Sequence, residues 1–166
     1  VSAERLELAR QGGATELIQS DAATARGSIS KSTGGRMLDV IFDVTGHHSV
    51  LAPASMLLRP LGRLILLGDS PSPSKQNLGP RIVADSLSIL AVHASASPPV
   101  ATARDRWSMA AMTELFFEFV HSARMDVDDL VSHRFTPSEA PDVYARLRAD
   151  RSGYLGVIFD WTGLQS

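Results

Sequence analysis

The stretch that decides the fold is residues 38–69, which read LDVIFDVTG, then HHSVLAPASMLLRPLG, then RLILLGD. The first and third pieces are apolar runs that each end at a glycine. Such continuous runs, rich in β-branched residues, are typical of parallel strands covered on both faces. The pattern therefore predicts a strand Leu38 to Val44, a crossover helix Ser49 to Leu58 and a strand Leu64 to Leu67. Parallel strands of this kind open their carboxyl ends onto a ligand crevice.

Further helices and strands are predicted before and after this segment. Ser2 can cap a first helix that ends at Gly12 and Gly13, and Thr136 with Glu139 forms a capping box at the start of a late helix. The other expected elements are a strand Glu16 to Gln19, a helix from about Asp21 to Lys31, a short helix Arg81 to Asp85, a strand Leu87 to Val92, a long helix from Met109, a strand Leu130 to Phe135 and a strand Leu155 to Phe159.

Composition excludes several classes of function. The 166 residues have a formal net charge of −2 and contain no cysteine. We therefore expect no nucleic-acid partner, because such binding needs a clustered basic face. No apolar run approaches the roughly 20 residues that span a bilayer, so no membrane segment is expected. The lack of cysteine also removes disulfides and thiolate metal sites and favours a cytoplasmic location.

Four stretches, taken together and in order, carry a family resemblance. They are SAERLELARQGGA (2–14), LDVIFDVTG (38–46), LLRPLGRLILLG (57–68) and LVSHRFTPSEAPDVYARLRADRSGYLGVIFDW (130–161). With them, the chain resembles the C-terminal part of a medium-chain dehydrogenase/reductase, the superfamily of the zinc-dependent alcohol dehydrogenases. Each stretch alone is a weak signal, whereas all four at these separations cover nearly the whole chain.

The resemblance implies an α/β fold that is only part of a doubly wound, Rossmann-type parallel sheet. The fingerprint G-x-G-x-x-G occurs nowhere in the sequence, and the first two strands of the family's sheet have no counterpart. We expect residues 1–125 to form a partial dinucleotide-binding domain and residues 126–166 a β-α-β tail that returns to the catalytic domain in the family. The missing central strands lead us to expect upstream residues in the intact protein, or a partner chain that fills the gap.

The resemblance also implies which residues bind a dinucleotide. Arg5 stands where a basic residue reaches the adenosine ribose or its phosphate in the family. The other positions lie in three turns, each of which follows an expected strand. In the family these turns contact, in order, the adenine side of the dinucleotide, the nicotinamide ribose and the nicotinamide carboxamide. These residues are Val44, Thr45 and Gly46; Leu67, Gly68 and Asp69; and His93, Ala94 and Ser95.

The activity implied is hydride transfer between NAD or NADP and a small alcohol or carbonyl substrate. Zinc is possible in the intact protein, but we expect no metal ligand and no catalytic residue among these 166 positions. The edge strand Leu87 to Val92 is expected to pair with its twin in a homodimer, because an open strand edge is a template for further pairing.

Two other functions stay open at this point. A truncated relative could serve as a non-catalytic binding or interaction module. A methyltransferase-like nucleotide domain also places a strand like LLRPLGRLIL after one like DVIFDV, but such a domain would end in an antiparallel hairpin, and the tail from Leu130 to Trp161 does not read that way.

Overall fold

The computed structural model describes residues 2–163; Val1 and the last three residues of the expected tail lie outside the described part. Helices and strands are interspersed along the chain. The helices are α1 (Ala3–Gln11), α2 (Arg26–Ser32), α3 (Leu51–Ser55), α4 (Met109–His121) and α5 (Ala140–Ala149). The strands are β1 (Leu38–Asp43), β2 (Leu58–Leu66), β3 (Ser88–Ala91), β4 (His133–Phe135) and β5 (Val157–Phe159).

The described residues divide into two compact units, the first ending at Ala96 and the second beginning at Ser97. The boundary expected between residues 125 and 126 separates a segment of the family's dinucleotide-binding domain from a segment of its catalytic domain. The two compact units do not test this assignment, so the domain boundary stays a prediction.

The first unit is built on a three-stranded parallel sheet in the order β1-β2-β3. The register aligns Ile41, Leu64 and Ile89 in one row across the sheet. Leu64 in the central strand is completely buried. The sequence prediction of consecutive parallel strands with a crossover helix is therefore confirmed for this segment.

The entry into β2 departs from the prediction, which placed the start of this strand at Leu64. The strand begins at Leu58 and runs through Pro60, and the ladder shifts by several residues between the Leu38–Leu58 pair and the Val40–Arg63 pair. Leu61 in this irregular stretch has a φ of 62° and donates its N–H to the carbonyl of Asp85 at 2.8 Å. A bulged entry of this kind absorbs extra residues without breaking the strand.

Other expectations about single elements also need correction. The strand expected from Leu130 begins at His133, because Asp128–Leu130 forms one turn of 3-10 helix. Residues 16–19 form no strand, because an extended segment becomes a strand only through ladder hydrogen bonds and no described strand lies beside it. The helix expected from Asp21 begins at Arg26, since Asp21 instead holds a turn by accepting the N–H of Thr24 at 2.8 Å. The crossover helix is only Leu51–Ser55. Residues 81–85 form a turn and no helix, closed by the Asp85 N–H on the Arg81 carbonyl at 2.9 Å.

The two faces of the three-stranded sheet differ in what covers them. On one face, Leu51 and Ala54 of α3 pack with Leu64 in a buried cluster, and a second cluster around Ile29 of α2 also contacts Ile41. On the other face Phe42 is 63% exposed. β1 carries apolar residues on both faces, which is typical of parallel strands that are covered on both sides.

The second unit contains the β-α-β tail predicted from the sequence. β4 and β5 pair in parallel, and Val143 of α5 is almost fully buried. The capping box is present: Oε2 of Glu139 accepts both the N–H and the hydroxyl of Thr136, each at 2.8 Å. These bonds lower the pKa of Glu139, the bond from the Thr136 N–H contributing most. Within residues 2–163 no helix is both long and apolar enough to cross a membrane.

Candidate functional site

The turns that follow β1 and β2 meet backbone against backbone. A Cβ atom built on Gly68 would lie 2.4 Å from the nitrogen of Gly46 and 2.8 Å from the carbonyl carbon of Thr45. A Cβ atom on Gly46 would lie 2.2 Å from the carbonyl oxygen of Asp69, and Gly46 also has a φ of 61°. Only glycine fits both positions, because a side chain on either one would collide with the backbone of the other turn.

A buried carboxylate at the end of β1 organises this junction. Asp43 is 4% exposed, and its Oδ1 accepts the N–H of Thr45 at 2.9 Å and the Thr45 hydroxyl at 2.7 Å. Its backbone carbonyl accepts the N–H groups of Leu67 and Gly68 at 2.9 and 3.1 Å. One residue therefore fixes the turn after β1 and ties it to the turn after β2. The sequence reading assigned no role to this aspartate.

A cavity of about 440 Å³ opens beside the carboxyl ends of β2 and β3. This volume lies within the range of small-molecule sites. Apolar residues from the two strand ends form most of its wall, and a few polar side chains interrupt it. The lining residues are Leu66, Leu67, Gly68, Asp69, Ser70, Gln76, Ala91, Val92, His93 and Ala96.

His93 lines this cavity, and a turn holds its ring in one orientation. Its Nδ1 accepts the backbone N–H of Ser95 at 3.2 Å and lies 2.7 Å from the Ser95 hydroxyl. A backbone N–H can only donate, so Nδ1 must carry its lone pair, and in the neutral ring the proton is then on Nε2. The turn thus holds the imidazole by one edge.

The structure brings together part of the predicted dinucleotide set. Leu67, Gly68, Asp69 and His93 line the cavity, whereas the other predicted positions do not. Gly46, with Val44 and Thr45 before it, packs directly on Gly68 in the neighbouring turn. Ala94 and Ser95 form the one-turn helix after β3, and Arg5 lies exposed in the first turn of α1. The binding roles of all ten residues stay predictions.

Two polar residues of the cavity were missed by the sequence reading. Ser70 and Gln76 lie in the loop after Asp69 and line the same wall. Ser70 is tied locally, because its hydroxyl accepts the N–H of Ser72 at 3.3 Å. This loop has no hydrophobic period, so no pattern in the sequence marks which of its residues face a ligand. Their position directly after a strand end was the one available signal.

A second cavity, of about 360 Å³, lies between α2 and α3. Its lining includes Arg26, Pro53 and Met56. The Arg26 guanidinium donates from Nη1 to the carbonyl of Met56. This arginine is therefore already engaged with the wall of the cavity, which lacks the converging glycine turns of the first one.

Metal chemistry has no site in the described part of the chain. Among residues 2–163, no group of three or more His, Cys, Asp or Glu side chains is arranged to hold a metal ion. The adjacent His47 and His48 stack on each other with ring centroids 4.4 Å apart. Nδ1 of His47 is occupied by the hydroxyl of Ser49 at 2.8 Å.

Solved structures share this fold at low sequence identity. A short-chain alcohol dehydrogenase from Escherichia coli, in complex with NADH, is 22% identical with a TM-score of 0.72; the match covers 96% of this chain and 42% of that one. Benzyl alcohol dehydrogenase from Acinetobacter calcoaceticus is 20% identical with a TM-score of 0.74, covering 96% and 40%. A mycobacterial protein in complex with NADPH is 20% identical with a TM-score of 0.66, covering 95% and 48%.

The chain thus spans less than half the length of these three structures. These likenesses confirm the Rossmann-type fold class. A search of curated protein sequences gave no match. The sequence model of the family described as zinc-binding dehydrogenase matches residues 1–115, well over half of the chain. The expected family is thereby confirmed: this chain belongs to the zinc-binding dehydrogenases.

Proposed function

We propose that the intact protein is an NAD(P)-dependent oxidoreductase of the medium-chain type, acting on a small alcohol or carbonyl substrate. The observation that carries this proposal is the meeting of two glycine turns at the carboxyl ends of β1 and β2. A Cβ atom at either position would fill the space between Gly46 and Gly68. Ligands of open parallel sheets bind outside the carboxyl ends of the strands.

The residues present fit one wall of a dinucleotide crevice. Val44, Thr45 and Gly46 would contact the adenine side, and the backbone of Gly68 would contact the nicotinamide ribose. The turn from His93 to Ser95 would bind the nicotinamide carboxamide, and Arg5 the adenosine ribose. When bound, the dinucleotide supplies or accepts a hydride at nicotinamide C4, and this chain's own work is to bind and orient it.

The exposed sheet face supports the involvement of further protein in the complete crevice. Phe42 and Leu90 lie in one row of the sheet with Ile65 and are 63% and 46% exposed. Apolar residues in such a row are usually covered in a parallel sheet. We propose that upstream residues or a partner chain supply both this cover and the glycine-rich phosphate-binding turn.

The test is an activity measurement on the protein translated from the complete reading frame. Purified protein is mixed with NADH or NADPH and a panel of aldehydes and ketones, and nicotinamide absorbance is followed. We expect turnover with one of the two dinucleotides and its loss in Gly68→Val, whose side chain would occupy the junction. A reading frame without an upstream nucleotide-binding turn, together with no turnover, would favour the non-catalytic binding module.

The same proposal includes a homodimer through β3. Within the described residues β3 pairs only with β2, and the N–H of Val92 points to the Leu66 carbonyl at 3.0 Å. Successive N–H groups of a strand point in opposite directions, so the N–H of Ala91 points away from β2, toward the unpaired edge of β3. Sedimentation of wild type should give a dimer, and Ala91→Pro, which lacks that donor, a monomer. A wild-type monomer at micromolar concentration would contradict this pairing.

A further inference from the structure

We propose that the His93 side chain is a ligand-binding residue of the cavity, held by Ser95 as a neutral imidazole that donates from Nε2 to a carbonyl oxygen. This inference rests on the proposed function for the identity of the ligand. It goes beyond that function because the carboxamide contact expected at this turn is made by backbone groups. The side chain would add a directional donor of its own.

The first step is the tautomer. Nδ1 of His93 faces two donors of the same residue, the Ser95 N–H at 3.2 Å and the Ser95 hydroxyl at 2.7 Å. The amide hydrogen cannot be turned away, because it belongs to the backbone. A proton on Nδ1 would therefore face another hydrogen, whereas a proton on Nε2 meets no such conflict.

The second step is what the free edge of the ring meets. The hydrogen bonds that the structure gives the His93 ring are made by Nδ1, and His93 lines the cavity. Much of the wall is apolar, with Leu66 and Val92 among its members. A proton on Nε2 can therefore be donated to an acceptor atom of a ligand bound in the cavity.

The third step is the chemistry of the ligand. A neutral N–H donor suits a carbonyl oxygen. Two sources present such an oxygen at a nicotinamide site: the carboxamide of the dinucleotide and a carbonyl substrate. Asp69, also on the cavity wall, accepts hydrogen bonds when ionised and would disfavour an anionic ligand. The geometry therefore points to a neutral carbonyl group.

The second unit contains a matched internal comparison for the tautomer. His133 also has its Nδ1 beside a serine hydroxyl, that of Ser132, at 2.9 Å. That hydroxyl already donates to the carbonyl of Gly156 at 2.9 Å and accepts the N–H of Leu155 at 3.0 Å. With its single hydrogen on the Gly156 carbonyl, the hydroxyl would accept from His133, and we therefore expect Nδ1 to carry the proton. Similar pairs thus predict opposite tautomers.

The tautomer is read from long-range nitrogen–proton spectra of the chain labelled with ¹⁵N-histidine at neutral pH. We expect His93 as the Nε2–H form and His133 as the Nδ1–H form. In Ser95→Ala the hydroxyl is lost but the backbone donor stays, so His93 should keep its tautomer with greater ring mobility. A proton on Nδ1 of His93 in the wild type would overturn the proposal.

Ligand binding is tested with nicotinamide, which is uncharged, in one arm and butyraldehyde in the other. A shift of the His93 Nε2 signal by the first assigns the carboxamide, and by the second the substrate carbonyl. His93→Asn keeps the turn, because Asn can accept the N–H two residues on, but it loses the Nε2 donor. His93→Gln offers an amide N–H near the position of Nε2.

For the probe that shifts the signal, we expect affinity to fall about 3- to 10-fold in His93→Asn and less in His93→Gln. Equal affinity of wild type and His93→Asn, with an unchanged amide spectrum elsewhere, would overturn the proposal. So would a wild-type Nε2 signal that neither probe moves. Failure of the proposed function is distinguishable, because it would appear as absence of nicotinamide turnover in the complete protein even where the His93 Nε2 signal responds.

Discussion

Replacing Gly68 with alanine tests whether the turns after β1 and β2 pack backbone on backbone. Gly68 has no positive φ, so alanine is not strained by its own backbone conformation. The new Cβ would lie 2.4 Å from the Gly46 nitrogen and 2.8 and 2.9 Å from the carbonyl carbons of Thr45 and Val44. All three neighbours are backbone atoms, so a turn must move. Overpacking of this kind costs about 1–3 kcal/mol.

The matched control is Gly27→Ala in α2. A Cβ atom at Gly27 meets nothing within 4 Å, and alanine is the better helix former by roughly 0.5–1 kcal/mol. The same chemical change is therefore expected to stabilise at Gly27 and to destabilise at Gly68. Because the two glycines belong to the same unit, each variant reports on the same unfolding event.

Thermal unfolding followed by far-ultraviolet circular dichroism measures the difference. A unit of this size shifts its melting temperature by about 4–8 °C for each kcal/mol, so Gly68→Ala should melt well below wild type and Gly27→Ala slightly above it. Amide hydrogen exchange should show the loss concentrated at the ends of β1 and β2. Equal melting temperatures of the two variants would refute the reasoning.

Three further predictions follow from particular contacts. Leu64→Ala empties the fully buried centre of β2 and should destabilise the first unit by about 2–5 kcal/mol in urea unfolding; a loss under 1 kcal/mol would contradict the assigned core. Leu61→Gly should be neutral or stabilising in the same assay, because Leu61 is 68% exposed and has a φ of 62°, which costs leucine about 1–2 kcal/mol; a clear loss would contradict this. The pKa of Glu139 is lowered, so the capping box stabilises the fold above the unfolded-state pKa of this carboxyl, and the stabilisation is lost as the pH falls through the folded-state pKa. Carbon NMR measures the titration midpoint of the Glu139 carboxyl. We expect this midpoint to rise in Thr136→Val but to stay below the unfolded-state value, because the backbone N–H of residue 136 still donates.

The sequence predicted the junction of the site well, for a physical reason. Apolar runs that end at Gly46 and Gly68 indicate parallel strands, and parallel strands bring their carboxyl ends to one edge of a sheet. The sequence explained Gly68 by a close approach of the backbone to a ligand. The structure gives a different reason, because the missing side chain of Gly68 leaves room for the backbone of the turn at Gly46.

What the sequence could not predict depends on tertiary partners. The bulged entry to β2 needs Leu61 in a left-handed conformation. This conformation is uncommon for leucine, and the hydrophobic pattern of the sequence does not indicate it. Residues 16–19 have an apolar centre in Leu17 and Ile18 but form no strand, since strand formation depends on ladder partners. The orientation of His93 by Ser95 rests on the geometry of a turn, which side-chain type alone does not specify.

Amide chemical-shift mapping of the ¹⁵N-labelled chain with NADH tests the central claim most directly, that this chain supplies one wall of a dinucleotide crevice. The account predicts that the largest changes fall on Gly46, Gly68 and His93, at the ends of the three parallel strands. Changes confined to the cavity around Arg26 and Pro53, or to no strand end at all, would contradict it.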